Sequence, residues 1–204
     1  MKVIPALNQV NKMLDVEQWI IDEACKQCAR FVKESGNDDF FININLETSL
    51  IGRETIIKEI LTAKDKYGLK NKNLFFEVTE SAPLEGKEDS IDTLRTLQQM
   101  GINIAIDDFG TGFSSLSYLK TLPVDEIKID RSFVLNSESD KSAENFLSEV
   151  INLTKNMGYK VCVEGVENTK QFDIINSKSI DFYQGFYFGR HTKADSFIKQ
   201  FLKE

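Results

Sequence analysis

Nowhere in the 204 residues is there a run of about 18 apolar side chains, so no membrane span is expected. The N-terminal MKVIPALNQV lacks the long apolar core of a secretory signal, and a cytoplasmic protein is expected. Basic residues are too few for a nucleic-acid groove. Lys and Arg number 25 against 32 Asp and Glu, a formal net charge of -7, so no DNA-binding stripe is expected and a phosphate-bearing substrate would need cations to approach. Histidine occurs once, as His191 in a polar stretch, and cysteine three times, at Cys25, Cys28 and Cys162. The Cys25–Cys28 spacing resembles a metal or redox pair, but it falls within a helical pattern and no second pair completes a zinc site, so packing or surface thiols are expected.

What is present is an alternation. Helical spacing of apolar residues runs over 15–31, 54–67, 90–100, 143–157 and 169–176, with a short helix over 114–119 and another at the C-terminus. Between them lie strand candidates at 40–46 (FFININL), 73–79 (NLFFEVT), 103–109 (NIAIDDF), 126–130 (EIKID), 159–166 (YKVCVEGV) and 181–188 (DFYQGFYF). Strands alternating with helices imply βαβ units, hence an α/β fold with a parallel sheet and right-handed crossovers. No composition shift or low-complexity linker interrupts the pattern, and residues 1–204 are expected to form a single domain.

The polar residues of these strands are concentrated late in them. Asn45, Glu77, Asp107 with Asp108, Lys128, Glu164 and Gln184 each fall at or near the C-terminal end of a different strand candidate. In a barrel of parallel strands those ends share one mouth, where active sites are built. The centre of the pattern is IAIDDFGTG, residues 104–112, where a buried strand delivers two adjacent carboxylates to its own end. For the Asp pair alone, the plainer alternative is a helix-capping Asp108 beside a solvated Asp107. Likewise Asn45 could bond nearby backbone, Lys128 could pair with Asp130, and Glu164 could cap the helix after Gly165. Taken together, four carboxylates, an amide oxygen and an ammonium form a site for hard divalent cations, Mg2+ or Mn2+, rather than zinc. Two such ions bridged by one aspartate would clamp a phosphodiester and activate water, with Lys128 stabilising charge on the phosphoryl oxygens or the attacking water.

The stretches FFININLE, FEVTES, IAIDDFGTGFSSLSYLKTLPVDEIKIDRSF, VEGVE and DFYQGFYF resemble, in order and spacing, the motifs of EAL domains, the bacterial cyclic di-GMP phosphodiesterases. That resemblance implies a TIM-like (β/α) barrel and a signalling hydrolase that converts cyclic di-GMP to linear pGpG. It implies one metal ion on Asn45, Glu77 and Asp107, a second on Asp107, Asp108 and Glu164, Lys128 and Glu164 serving the attacking water, and Gln184 helping to position the site. It further implies that Glu80 steadies the loop containing Phe109, Gly110, Thr111 and Gly112, that this loop couples the site to a homodimer, and that an upstream sensory or cyclase domain accompanies such a chain.

The sequence also departs from the family pattern. The Glu-Ala-Leu triplet that names the family does not occur, so about six of eight strands are expected here and one metal-ligand glutamate is lacking. Glu47 stands where a small hydroxyl residue is usual, Cys162-Val163 replaces a commoner Val-Ala, and Gly189-Arg190-His191 replaces a proline-containing exit. Two readings follow: a piece of an active hydrolase, or a catalytically impaired receptor or protein-interaction module.

Overall fold

A computed structural model describes residues 12–80, 88–112 and 116–202. By its internal contacts the chain divides into two compact units, one of Met1–Glu77, Pro83–Asn103 and Lys193–Glu204, the other of Val78–Ala82 and Ile104–Thr192. The elements are α1 (Met13–Ser35), β1 (Ile42–Asn45), α2 (Glu54–Lys66), β2 (Leu74–Thr79), α3 (Glu88–Gln99), β3 (Asn103–Phe109), α4 (Leu116–Leu119), β4 (Glu126–Ile129), α5 (Arg131–Ser137), α6 (Lys141–Asn156), β5 (Lys160–Val163), α7 (Thr169–Asn176), β6 (Phe182–Tyr183) and α8 (Ala194–Phe197), the last continuing into a π-helical turn. The six strands follow one another in the sheet in chain order. The pairs β1–β2, β3–β4, β4–β5 and β5–β6 are all parallel, as the alternation predicts.

In the first unit, α1 buries Met13, Glu17, Ile21, Cys25 and Cys28, a spacing of three and four that puts one stripe inward. Gly36 ends the helix in the left-handed conformation that a side chain disfavours. The C-terminal α8 is tied to α1 by the Arg30–Asp195 ion pair and by Phe197, whose ring lies 5.1 Å from Phe31 and 6.3 Å from Phe40.

The second unit has a core of Ile129, Val134, Leu147, Ile151, Val161, Val163, Val166 and Ile175, contributed by β4, α5, α6, β5 and α7. Its helices begin on side chains that accept otherwise unmatched N–H groups. Asp130 accepts from Ser132, Asp140 from Ser142, and Asn168 from Gln171. Two aspartates set register by the same device: Asp125 bonds both backbone groups of Ile104, and Asp181 both of Val161.

Strand β1 spans Ile42–Asn45 where 40–46 is expected, and three elements differ further from the sequence pattern. Helix α5 was not expected, because RSFVLNS carries its apolar residues side by side rather than at helical spacing; the Asp130 cap starts it. The expected strand over 159–166 stops at Val163, where Gly165 turns the chain at φ 69°. The aromatic run after Asp181, strand-like by composition, pairs only through Phe182 and Tyr183, after which Phe188 and Gly189 donate back to the Gly185 carbonyl in a turn. Of the expected helix over 114–119, residues 114 and 115 lie outside the described residues.

Candidate functional site

Strand β4, EIKI, is buried along its whole length. Alternation alone would turn Lys128 toward solvent, yet its side chain is only 2% exposed. A buried ammonium must be paired, and Lys128 Nζ sits 2.9 Å from Asp107 Oδ1 and 2.6 Å from Glu164 Oε1. Pairing with Asp130 is therefore replaced by pairing across both neighbouring strands, while the Asp130 carboxylate caps α5.

The two aspartates of β3 reach one side because the strand loses its regular register with β4 between Ile106 and Phe109. Asp108 takes a left-handed φ of 56°, the single non-glycine case among the described residues. An irregularity of this kind re-aims side chains at a strand end. As a result Asp107, Asp108 and Glu164 each place a carboxylate oxygen within 4.8 Å of the others. This is the one such group of acidic, Cys or His residues among the described residues. Three carboxylates and one ammonium carry a formal charge of -2, and all the ligand atoms are hard oxygens, so the donor set fits a divalent cation of the Mg2+, Mn2+ or Ca2+ kind.

The remaining residues singled out by sequence are placed as follows. Asn45 and Glu77 belong to the first unit, where they are register partners on β1 and β2; Glu77 is buried and its Oε1 accepts from Asn43 Nδ2 at 2.6 Å. Gln184 follows β6 and is exposed, its N–H donating to Val163 O and its carbonyl accepting from Val166 N–H. Glu80 is buried, and its Oε2 accepts from Gly110 N–H at 2.7 Å and Gly112 N–H at 3.2 Å, so one carboxylate holds the loop that begins at Phe109 and continues through Thr111. Glu164 does not cap a helix, since α7 starts on Asn168.

Sequence reasoning did not find Asn43, the partner of Glu77, nor Glu17, a buried α1 carboxylate that accepts the Glu47 N–H at 3.1 Å. Burial, with the Glu47 charge nearby, raises the Glu17 carboxyl above its ordinary value, although the Glu47 N–H pulls the other way. Cys25 and Cys28 are buried thiols: burial pushes Cys25 up to about 12 and Cys28 up to about 11, which makes both inert.

A parallel α/β protein that gathers carboxylates and a lysine at successive strand ends falls in the class of (β/α)-barrel-type proteins, with a donor set suited to a divalent cation. The EAL domain family model matches residues 1–191, and the chain belongs to the EAL-domain family. It is 37% identical over 201 residues to the signaling protein YkoW of Bacillus subtilis, covering 98% of this chain and 25% of YkoW. It is 32% identical to the bifunctional diguanylate cyclase/cyclic di-GMP phosphodiesterase MucR of Pseudomonas aeruginosa, over 96% of this chain and 28% of MucR. Thus the chain spans about a quarter of these two relatives. Among solved structures it is similar to the PaMucR phosphodiesterase in complex with c-di-GMP, with a TM-score of 0.85, 32% identity, and coverage of 95% of this chain and 78% of that one. The manganese/cyclic di-GMP complex of Klebsiella pneumoniae BlrP1 matches at a TM-score of 0.75 and 26% identity, over 87% of this chain and 45% of that chain. The (β/α)-barrel-type fold expected from the resemblance is that of these relatives, and six of its parallel strands lie in the described residues.

Proposed function

We propose that the chain is a cyclic di-GMP phosphodiesterase domain that hydrolyses one phosphodiester of cyclic di-GMP to linear pGpG. The observation that carries this reading is Lys128 held between Asp107 and Glu164, with Asp108 completing a three-carboxylate cluster. Asp107, Asp108 and Glu164 would hold a divalent ion, and Asn45 and Glu77 are assigned to a second on the family resemblance alone. Bound ions would polarise the phosphoryl oxygens and acidify water at neutral pH.

The chain's own groups account for the rest. The Lys128 ammonium, desolvated and oriented by two carboxylates, stabilises negative charge growing on the phosphoryl oxygens and orients the attacking water. Glu164 takes a proton from that water as its oxygen adds to phosphorus; the bond to the 3′ oxygen breaks, and that oxygen takes up a proton from solvent. Gln184 positions the site beside Glu164. The loop 109–112, held by Glu80, would link the site to a homodimer, and a sensory or cyclase domain would supply the input. Among the described residues no helix is long and apolar enough to cross a membrane.

The test is incubation of the folded chain with cyclic di-GMP and saturating Mn2+ or Mg2+, followed by chromatography for pGpG. Product is expected only with metal, and Asp107→Asn should lose both turnover and Mn2+ affinity. No product from a well-folded sample at saturating Mn2+ sinks the hydrolase reading for this chain. Cyclic di-GMP binding that survives chelation would put the receptor reading in its place.

A further inference from the structure

Glu164 owes its position to a turn that is pressed from both sides. Its own N–H donates to Ile129 O at 3.1 Å, which ties it to the end of β4. The next residue, Gly165, has φ 69°, and a Cβ there would lie 2.2 Å from the Arg131 Cβ at the start of α5. On the other side the chain after β6 closes over Val166. Gln184 N–H donates to Val163 O at 2.9 Å, Val166 N–H to Gln184 O at 3.1 Å, and Tyr187 N–H to Val166 O at 3.0 Å. Between these bonds sits Gly185, where a Cβ would lie 2.0 Å from the Val166 oxygen and 2.4 Å from its nitrogen. Both collisions are with atoms that cannot swing away: the backbone of Val166 in one case, and a Cβ fixed to the first turn of a helix in the other.

We propose that Gly165 and Gly185 are positioning residues for the Glu164 carboxylate. Their missing side chains let α5 and the segment after β6 grip the turn 164–166, and that grip delivers Glu164 Oε1 to within 2.6 Å of Lys128 Nζ. Neither glycine touches substrate or metal; each acts through Glu164. A Cβ at position 185 would part the two segments by about 1 Å, and a displacement of that order at a reacting constellation can cost about 100-fold in rate.

The experiment has an arm without metal and an arm with it. In EDTA, Gly185→Ala, Glu164→Gln and the double variant are unfolded in urea. Glu164→Gln breaks the Lys128 pair, so it should shift the midpoint less in the Gly185→Ala background than in the wild type, because the pair is already displaced there. Additive midpoint shifts would overturn the proposal. In the second arm, Mn2+ alone is titrated by calorimetry. Gly185→Ala should bind at least tenfold more weakly than wild type, whereas Gly158→Ala, also at a positive φ (93° against 159° at Gly185) but meeting nothing within 4 Å, should keep wild-type affinity. Equal Mn2+ affinity for Gly185→Ala and wild type would overturn it as well. This second arm rests on the assignment of Glu164 as a ligand: if wild type itself binds no Mn2+, the metal reading fails and the urea cycle still decides the positioning. Should Gly185→Ala not fold, Gly165→Ala is compared with Gly165→Ala/Arg131→Gly in the same cycle with Glu164→Gln. Recovery of the Glu164–Lys128 coupling in the double variant supports the grip, and its absence overturns it.

Discussion

Replacing Lys128 by Met should destabilise the chain severely in the absence of metal and leave it able to bind Mn2+. The side chain is 2% exposed and its ammonium lies 2.9 and 2.6 Å from two carboxylates that are themselves only 15% and 13% exposed. At an effective dielectric of about 20 each contact is worth roughly 6 kcal/mol gross, set against several kcal/mol of desolvation per ion. The net value of the arrangement is therefore modest, but removing one member is not. Methionine keeps most of the apolar stem while removing the ammonium that Asp107 and Glu164 share, a change that costs about 3–5 kcal/mol in comparable buried pairs. For a chain of this size that corresponds to a melting temperature lower by roughly 6–20 °C. The formal charge of the cluster moves from -2 to -3, so a divalent cation should recover a large part of the loss. The assay is thermal unfolding of wild type and Lys128→Met in EDTA and again in excess Mn2+. If the variant melts within about 1 °C of wild type in EDTA, Lys128 is not the buried countercharge described here; if Mn2+ stabilises wild type but not the variant, the carboxylates do not form the cation site.

Two further outcomes are expected. Glu17→Gln should stabilise the protein near pH 8: the folded-state carboxyl is raised, so ionisation is penalised above its folded value and carries no penalty below its unfolded value. The advantage should therefore fade as the pH falls into the acid range, and a variant less stable than wild type at pH 8 would contradict the assignment. Cys25 and Cys28, together with buried Cys162, should resist a thiol reagent in the native state, since a group pushed up to about 12 has a thiolate fraction on the order of 10⁻⁴ at pH 8. Rapid native-state labelling of either helical thiol would show that α1 does not bury this face.

The parts of the fold that could be read from the sequence are those in which one local rule decides. Strand β3 is found at its predicted limits because an apolar run ends at a pair of carboxylates, and α7 because its cap, Asn168, and its apolar stripe agree. Helix α5 was hidden because it is only about two turns long, its stability coming from Asp130 at its start and from Val134 in the core, neither of which shows as periodicity. The last strand was overcalled because Phe and Tyr favour strands while Gly185 forces a backbone crossing that no propensity records. Within the candidate site, residue types at strand ends pointed to Asp107, Asp108, Lys128 and Glu164, which the structure brings together. What they did not disclose was that Lys128 is enclosed by β3 and β5 carboxylates rather than by its neighbour Asp130, since a pairing partner on another strand has no signature in the local pattern.

The position of Lys128 bears on the one apparent conflict in the composition. A chain of net charge -7 is a poor trap for a doubly phosphorylated ligand, and its acidic residues at strand ends would repel that ligand further. Within the second unit, however, the charges are not distributed evenly: Lys128 offsets one carboxylate of the three in its cluster, so these four groups together carry a formal charge of -2. A divalent cation would neutralise that charge and offer its own positive face to a phosphate. An organic cation does so less well, because it cannot place compact double charge among oxygens no more than 4.8 Å apart. The acidity that argues against nucleic acid is thus the same property that suits this cluster to a divalent cation, which the proposed phosphodiester chemistry requires.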